Sequence, residues 1–257
     1  MDLQIEGKVA LVSGGTGGLG RAVAQALSGE GARVAICGRR AQLAAEQAAD
    51  LSGAIGMGLD LTDPVGVRAA VEVIEDRLGP VDILVVNGGG PPPSTAATLN
   101  PADLPAASQL LLDGPLRLIG ACLSTMREQA WGRVVAVGSS AVQQPILGLT
   151  TSSMYRTALA AYLKLLAREV AGSGVTVNMV LPGRIDTDRV AQLDAKRAES
   201  TGVDAAEVRR SSEATIPTGR YGRPEEFAAM VAFLCGVPAS YITGEQLRVD
   251  GGLIGGF

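Results

Sequence analysis

Residues 13–20 of this 257-residue chain read Ser13-Gly14-Gly15-Thr16-Gly17-Gly18-Leu19-Gly20. An apolar run typical of a buried strand precedes it at residues 8–12, and residues 21–30 after it have apolar positions at helical spacing. Glycines let the backbone turn sharply and approach a phosphate, while the N-terminus of a helix offers free N–H groups. A glycine-rich loop between a first strand and a first helix therefore predicts a binding site for a dinucleotide pyrophosphate.

Strand-like and helical runs alternate along the rest of the chain. Further strands are predicted at residues 33–37, 55–59, 82–86, 133–137, 175–181 and 246–249. Helices are predicted at residues 41–51, 65–78, 110–129, 152–171 and 224–235. This alternation predicts an α/β protein with a doubly wound Rossmann fold, whose parallel seven-stranded sheet carries helices on both faces. Because no linker or repeat interrupts the pattern, we expect a single NAD(P)-binding domain over residues 1–257.

The composition excludes several kinds of chemistry. The chain contains no histidine, which rules out a Ser-His-Asp triad and any histidine-bound metal. The three cysteines are far apart in sequence and form no metal-ligand pattern, and the net charge of −4 argues against nucleic acid as a partner. The first eight residues lack the apolar core of a signal peptide, and no apolar run reaches about 18 residues. We therefore expect a cytoplasmic protein with no metal and no membrane partner.

The glycine-rich loop resembles that of the short-chain dehydrogenases/reductases, which carry the pattern Thr-Gly-x-x-x-Gly-x-Gly. Ser13 replaces the threonine here, and Gly14, Gly18 and Gly20 are in register. The resemblance extends from residue 7 to residue 252, and 3-oxoacyl-acyl-carrier-protein reductases are the most similar subgroup. It implies an oxidoreductase that binds a nicotinamide cofactor through residues 13–20, with Thr16 and Leu19 among the contacts.

The same resemblance assigns further cofactor contacts, which occur in the family's order along the chain. Asp60 and Leu61 follow the third predicted strand, where the family contacts adenine. After the fourth strand, Val86-Asn87-Gly88-Gly89 replaces the Asn-Asn-Ala-Gly that lies beside the cofactor in the family. The loop on the nicotinamide side is represented by Pro182, Gly183, Ile185 and Thr187. Residues 249–252, Val-Asp-Gly-Gly, are similar to the family's C-terminal signature.

The residues that end the second strand indicate which nicotinamide cofactor is bound. An acidic residue at this position would accept hydrogen bonds from the ribose 2′-hydroxyl and favour NAD. The chain instead has Cys37-Gly38-Arg39-Arg40, so a 2′-phosphate meets no carboxylate and Arg39 can bind it with its planar guanidinium. We therefore predict NADP as the cofactor, with NAD less favoured. The alternative is that Arg39 and Arg40 are only the solvated start of a helix.

The family's catalytic pattern is largely replaced. In the family, a tyrosine exchanges the proton, a lysine four residues later lowers its pKa, a serine polarises the carbonyl, and an asparagine supports a water chain. Ser139, at the end of the fifth strand, matches the serine, with Ser140 as the alternative if the register slips by one. Alignment of the following helix places Ser152 at the tyrosine position and Arg156 at the lysine position, and the earlier helix places Leu111 at the asparagine position.

Tyr155 is the one phenol that follows closely on the replaced tyrosine position. It lies about 60° around the helix from Ser152 and about 4.5 Å further along it. It therefore either reaches the active site or packs beneath the neighbouring helix. Among relatives with arginine at the lysine position are halohydrin dehalogenases, but those lack the glycine-rich loop that this chain retains.

Three functions remain compatible with these residues. The first is an NADP-dependent oxidoreductase acting on a small-molecule carbonyl or alcohol, with the candidate catalytic residues Ser139, Ser152, Tyr155 and Arg156. The second is a nucleotide-binding pseudoenzyme or partner subunit, and the third is a non-redox enzyme on the same fold. Residues 186–217 have the position of the family's substrate lid, although a solvated surface helix would look the same. The resemblance further implies a homotetramer or dimer, formed through the helices at 110–129 and 152–171.

Overall fold

The computed structural model describes residues 1–256 and contains one parallel sheet with the strand order β3-β2-β1-β4-β5-β6-β7. The strands are β1 Val9–Val12, β2 Arg33–Gly38, β3 Ile55–Gly58, β4 Ile83–Val86, β5 Gly132–Val137, β6 Val175–Pro182 and β7 Gln246–Val249. This arrangement confirms the predicted doubly wound α/β fold. Each predicted strand is present, with ends that differ by at most one residue.

The helices cover both faces of the sheet. They are α1 Gly18–Gly29, α2 Ala41–Ala49, α3 Pro64–Leu78, α4 Leu104–Ser108, α5 Gly114–Glu128, α6 Thr150–Val170, α7 Asp188–Thr201, α8 Ala205–Glu213 and α9 Pro224–Cys235. Buried side chains of α3, α5 and α6 pack on one face, and those of α1, α2 and α9 pack on the other. Successive strand residues point to opposite faces, so Leu11 joins the first core while Ala10 and Val12 join the second. No helix within residues 1–256 is long and apolar enough to cross a membrane.

The first helix begins inside the glycine-rich loop. It starts at Gly18, three residues before the predicted boundary, and the extended Gly17 is its N-cap. Gly18 has a φ of +51°, a left-handed value that a side chain disfavours, so the chain enters the helix at a position that favours glycine. As a result, the free N–H groups of the first turn lie within the loop, where a phosphate can reach them.

The predicted helix at 110–129 is wrong at its start. A helical path begins at Pro101 and includes α4, and a π-helical turn at Gln109–Asp113 then connects it to α5. Pro115 has no N–H to donate to the preceding turn, which accounts for the local loss of the regular hydrogen-bond ladder. Gly114 lets this turn press against the loop after β3, because a Cβ there would collide with the carbonyl oxygen of Leu61 and would lie 2.8 Å from the Leu61 Cβ. Leu111 therefore lies on a π turn, not within a regular helix.

The parallel register brings the carboxyl ends of the strands to one edge of the sheet. In the middle of the sheet, Val12 of β1 pairs with Ile36 of β2 on one side and with Val85 of β4 on the other. The chain order reverses at this point, and such a switch point opens a crevice for a ligand. The segment predicted as a lid forms α7 and α8, which follow β6 above the same edge.

Candidate functional site

Ser13 and Asn87 fasten the ends of β1 and β4 together at the switch point. The Ser13 hydroxyl donates to the carbonyl oxygen of Asn87 at 2.7 Å and accepts from its backbone N–H at 2.9 Å. The Asn87 amide Nδ2 donates to the carbonyl oxygen of Gly14 at 3.1 Å. These bonds fix the glycine-rich loop against the loop after β4, so the floor of the crevice is rigid before any ligand binds.

Two glycines of the loop are required by space as well as by backbone conformation. Gly14 has a φ of +60°, and a Cβ there would lie 2.8 Å from Asn87 Nδ2. A Cβ on Gly20 would collide with the carbonyl oxygen of Gly14 and would lie 2.7 Å from the same amide nitrogen. The loop is therefore closed down on Asn87, and its exposed backbone forms the cradle expected for a pyrophosphate.

A cavity of about 370 Å³ extends from this cradle towards the ends of β2 and β3. It is lined by Ser13, Gly14, Thr16, Gly38, Arg39, Arg40, Leu59, Asp60, Leu61, Asn87, Gly88, Gly89 and Leu110. The structure thus brings together most of the cofactor contacts named from the sequence. Gly38, Leu59 and Leu110 were not among them; Leu110 lies on the π turn.

The charges in this cavity suit a phosphate at one end. Arg39 and Arg40 are exposed, and neither forms an ion pair with any residue in 1–256. Asp60 is the one carboxylate in the lining, and its Oδ1 accepts from the backbone N–H and the hydroxyl of Thr62 at 2.9 and 2.7 Å. These hydrogen bonds lower the pKa of Asp60 below its usual value, because they stabilise the ionised carboxylate.

The loop predicted to lie on the nicotinamide side follows β6 and is held at three points. Gly183 donates its N–H to the carbonyl oxygen of Val249 at 3.0 Å, and Ile185 pairs with Gly222. Thr187 caps α7 by accepting from the N–H of Val190, and its methyl carbon lies 3.5 Å from where a Cβ on Gly18 would be. Thr187 therefore faces the glycine-rich loop across the crevice. Pro182 is the last residue of β6 and precedes the loop that carries Thr187.

Ser139, Ser152 and Arg156 lie at the carboxyl end of β5. The Ser139 hydroxyl accepts from the N–H of Ala141 at 3.2 Å. Arg156 donates from Nη1 to the carbonyl oxygens of Val137 at 2.9 Å and Gly138 at 3.2 Å, and from Nε to the Ser152 hydroxyl at 3.3 Å. The guanidinium thus bridges the strand end that carries Ser139 and the helix that carries Ser152.

Arg156 remains a cation at neutral pH. Burial and, to a smaller extent, the positive charge of Arg189 together lower its pKa to about 10. The acceptors of Arg156 are all neutral oxygens, so its charge is not cancelled by a carboxylate. The position that the family gives to a lysine therefore retains a fixed positive charge.

Tyr155 lies apart from this group. Its hydroxyl donates to the carbonyl oxygen of Leu104, in α4, at 3.0 Å. Leu111 is buried, with 4% of its surface exposed, and offers no polar atom at the position of the family's asparagine. Ser140 is buried at the start of a short 3₁₀ turn, one residue beyond Ser139. The structure therefore brings together Ser139, Ser152 and Arg156 and leaves Tyr155 outside.

The site also includes a second cavity and, at its edge, one contact that sequence reasoning missed. A second cavity, of about 380 Å³, lies beyond Leu110 and is lined mainly by residues 90–94 and by the helical residues 102–110. Arg189, in the first turn of α7, extends across to Gly90 at the edge of that cavity. Since no sequence pattern links residues 90 and 189, only the fold reveals that they meet.

Comparison with known proteins agrees with the fold and with this site. Residues 14–254 match the family described as enoyl-(acyl carrier protein) reductase. The 3-oxoacyl-[acyl-carrier-protein] reductase of Vibrio cholerae is 36% identical over 98% of this chain and 99% of its own. The L-sorbose reductase of Gluconobacter frateurii, solved with NADPH and L-sorbose, has a TM-score of 0.94 and 29% identity over the whole of both chains.

A third comparison concerns a ketoreductase of polyketide synthesis. The actinorhodin polyketide ketoreductase, solved with NADPH, has a TM-score of 0.91 and 32% identity, and the match covers 98% of this chain and 99% of that one. The three matches each cover at least 98% of this chain. The chain belongs to the short-chain dehydrogenase/reductase family.

Proposed function

We propose that this chain is an NADP-dependent oxidoreductase that interconverts a carbonyl compound and an alcohol, similar to a 3-oxoacyl reductase but with an atypical active site. The proposal rests chiefly on the complete nucleotide cradle. Ser13, Gly14 and Asn87 are joined by hydrogen bonds and line the cavity, and α1 begins at Gly18 in the same loop. A chain that had lost cofactor binding would be under no such geometric restriction at Gly14 and Gly20.

The choice of NADP over NAD follows from the end of β2. No carboxylate stands there to bind a ribose 2′-hydroxyl, and Arg39 and Arg40 line the cavity without ion-pair partners in residues 1–256. A 2′-phosphate would supply the missing anion and take charge-assisted hydrogen bonds. Two of the similar solved structures contain NADPH, which supports the same choice.

The proposed roles follow from the positions of the side chains. The bound cofactor supplies a hydride to the carbonyl carbon, and a proton must reach the carbonyl oxygen to complete the alcohol. Ser139 donates a hydrogen bond to that oxygen, and Arg156 holds a positive charge beside it that favours the developing alkoxide. We assign the proton to a water molecule bound between Ser139 and Ser152, since no phenol lies in this group. Residues 186–217, which include α7 and α8, act as the substrate lid in this proposal.

A specific observation favours a second candidate function, cofactor binding without turnover. The family's asparagine, tyrosine and lysine positions are occupied by Leu111, Ser152 and Arg156, and the hydroxyl of Tyr155 is engaged by α4. Such a protein would act as a sensor or as the inactive partner of an active relative. It would bind NADPH as tightly as a reductase but consume none.

Two measurements on the purified chain decide between these functions. Equilibrium titration should give a lower Kd for NADPH than for NADH, and Arg39→Gln should raise the Kd for NADPH about tenfold without changing that for NADH. Arg68→Gln, which removes an exposed arginine on α3, is the matched control and should change neither Kd. Loss of NADPH absorbance that depends on a carbonyl compound supports the reductase; tight NADPH binding with no loss across a broad panel supports the second function.

We further propose a homotetramer or dimer in the cytoplasm. Leu165 of α6 is 60% exposed and Met154 is 46% exposed, so this helix presents apolar surface that a second copy would cover. Cys37, Cys122 and Cys235 are buried free thiols, which suits a reducing compartment. Sedimentation equilibrium tests the assembly, and a monomer at micromolar concentration would contradict it.

A further inference from the structure

Arg189 carries a charge that nothing in the proposed reaction yet uses. It belongs to the first turn of α7, two residues after Thr187, and its side chain crosses the crevice to the loop after β4. A Cβ on Gly90 would lie 2.5 Å from Arg189 Nη2, so the guanidinium rests directly on that backbone. Gly90 provides the space for this contact, and the contact places the charge at a defined point of the site.

This point belongs to the second cavity and not to the nucleotide cavity. Gly88 and Gly89 line the cavity that contains Arg39, whereas Gly90 and the following Pro91–Pro93 line the other. The boundary between the two cavities therefore passes between Gly89 and Gly90. Arg189 is exposed and reaches the loop on the side of this boundary away from Arg39.

Arg189 also lies near a second cation, Arg156. It is near enough to Arg156 for its charge to lower that group's pKa, and Arg156 lies beside Ser139. Neither guanidinium forms an ion pair with a carboxylate of residues 1–256. The acidic neighbour Asp186 is engaged by Arg209 at 2.8 Å. Two like charges without a counter-ion destabilise each other, and an anion placed between them would relieve this.

The second cavity is otherwise suited to an uncharged group. Its lining is dominated by Pro91–Pro93 and by the helical residues Ala102, Ala106, Ala107 and Leu110. Asp103, the one carboxylate in that lining, belongs to the helical wall, not to the loop at Gly90. A substrate with both an apolar part and an anionic part would therefore be oriented in one direction only.

We propose, on the basis of the function proposed above, that the substrate is an oxo acid whose carboxylate is bound by Arg189 at the Gly90 edge of the second cavity. The carbonyl group then lies between that carboxylate and the hydroxyl of Ser139, within the positive potential of Arg156. Arginine binds a carboxylate through two parallel hydrogen bonds, which fixes the orientation of the acid as well as its affinity.

The test compares an acid with its neutral ester. The probes are 3-oxobutanoate and 4-oxopentanoate with their methyl esters, which keep the carbonyl but remove the charge. Calorimetric titration into the complex with NADP⁺, where no hydride can be delivered, measures binding without turnover. The acids should bind about tenfold more tightly than the esters, and this preference should weaken with added KCl. Arg189→Gln should abolish the preference, while Arg197→Gln, at an exposed arginine two turns further along α7, should retain it.

The possible outcomes separate the substrate proposal from the reductase proposal. Equal or absent binding of acids and esters, or a preference that survives Arg189→Gln, overturns the role of Arg189. A higher Kd for NADP⁺ in Arg189→Gln also overturns it, since Arg189 would then bind the cofactor. Acid preference without NADPH oxidation by any of the four compounds leaves the anion site supported and contradicts the reductase alone.

Discussion

The crevice has a nucleotide half, which contains the glycine-rich loop, and a catalytic half, which contains Ser139, Ser152 and Arg156. The first half retains the family's sequence pattern, whereas the second half largely does not. In the nucleotide half, backbone groups and glycines form the binding surface. Gly14 and Gly20 pack so closely on Asn87 that a Cβ on either glycine would clash with it. In the catalytic half, side chains do the work, and Ser152 and Arg156 replace the family's tyrosine and lysine. A cradle made of backbone tolerates little substitution, whereas a proton relay made of side chains can be altered while the fold stays intact.

The largest effect is expected at the cradle. Gly20→Ala places a methyl group against the carbonyl oxygen of Gly14 and the amide of Asn87, so the loop must open. We expect no measurable NADPH binding and a loss of about 1–3 kcal/mol in the free energy of unfolding, which lowers Tm by roughly 5 °C. Titration and thermal unfolding measure the two effects.

Gly29→Ala is the matched control for that change. Gly29 lies at the other end of the same helix, and a Cβ there meets no atom within 4 Å. NADPH binding should be unchanged and Tm should stay the same or rise, because alanine favours a helix over glycine. Normal NADPH binding by Gly20→Ala would show that the cradle is not closed as described, and the contrast between the two halves would fail.

The second prediction restores the catalytic half. In the double variant Ser152→Tyr, Arg156→Lys, a phenol and an ammonium group return to the positions that the family uses. Positioned general acids contribute about a hundredfold or more to such rates, so we expect kcat for carbonyl reduction to rise about a hundredfold. The control Ser152→Phe, Arg156→Lys adds the same ring without the hydroxyl and should show no gain. Equal rates in both variants would mean that factors other than the missing phenol limit turnover.

The third prediction concerns the lid. Asp194 of α7 is buried and accepts from Arg184 Nη1 and from the Tyr221 hydroxyl, each at 2.8 Å. These bonds tie the lid helix to the loop that carries Thr187. Asp194→Asn removes the charge but keeps the shape, so we expect KM for the carbonyl compound to rise severalfold and the free energy of unfolding to fall by about 1 kcal/mol.

Glu199→Gln provides the comparison for the lid. Glu199 is exposed on the same helix and forms no ion pair with residues 1–256, so KM and Tm should stay unchanged. If Asp194→Asn lowers Tm but leaves KM unaltered, the network stabilises α7 without positioning the substrate, and α7 is then not a lid.

The sequence predicted the nucleotide half better than the catalytic half for a physical reason. Glycines, strand ends and the first helix turn are local features of the sequence, and the residues that they predict to bind the cofactor, such as Ser13, Gly14 and Arg39, line one cavity. Whether two distant side chains meet depends on the packing between elements. The π turn at Gln109–Asp113 depends on contacts with the loop after β3, so the predicted helix began at the wrong residue.

Arg189 illustrates the same limit within the site. Its contact with Gly90 joins residues 99 positions apart through the order of the sheet and the path of α7, and neither residue belongs to a motif. For Tyr155 the sequence allows two interpretations, because a step of three residues on a helix does not decide which neighbour a side chain reaches.

The smallest effect is expected at Tyr155, and it separates those two readings. Its hydroxyl donates to the Leu104 carbonyl oxygen and not to Ser139 or Ser152, so Tyr155→Phe should leave kcat within about twofold while costing about 1 kcal/mol of stability. Ser139→Ala, which removes the hydroxyl that we place on the carbonyl oxygen, should lower kcat about a hundredfold, and the loss of its hydrogen bond from the Ala141 N–H should cost about 1 kcal/mol of stability. A tenfold fall in kcat for Tyr155→Phe, with a changed pH profile, would bring this phenol into the proton transfer. The catalytic half would then have kept its acid by moving it three residues along α6, and the contrast between the two halves would be smaller than the positions of Ser152 and Arg156 suggest.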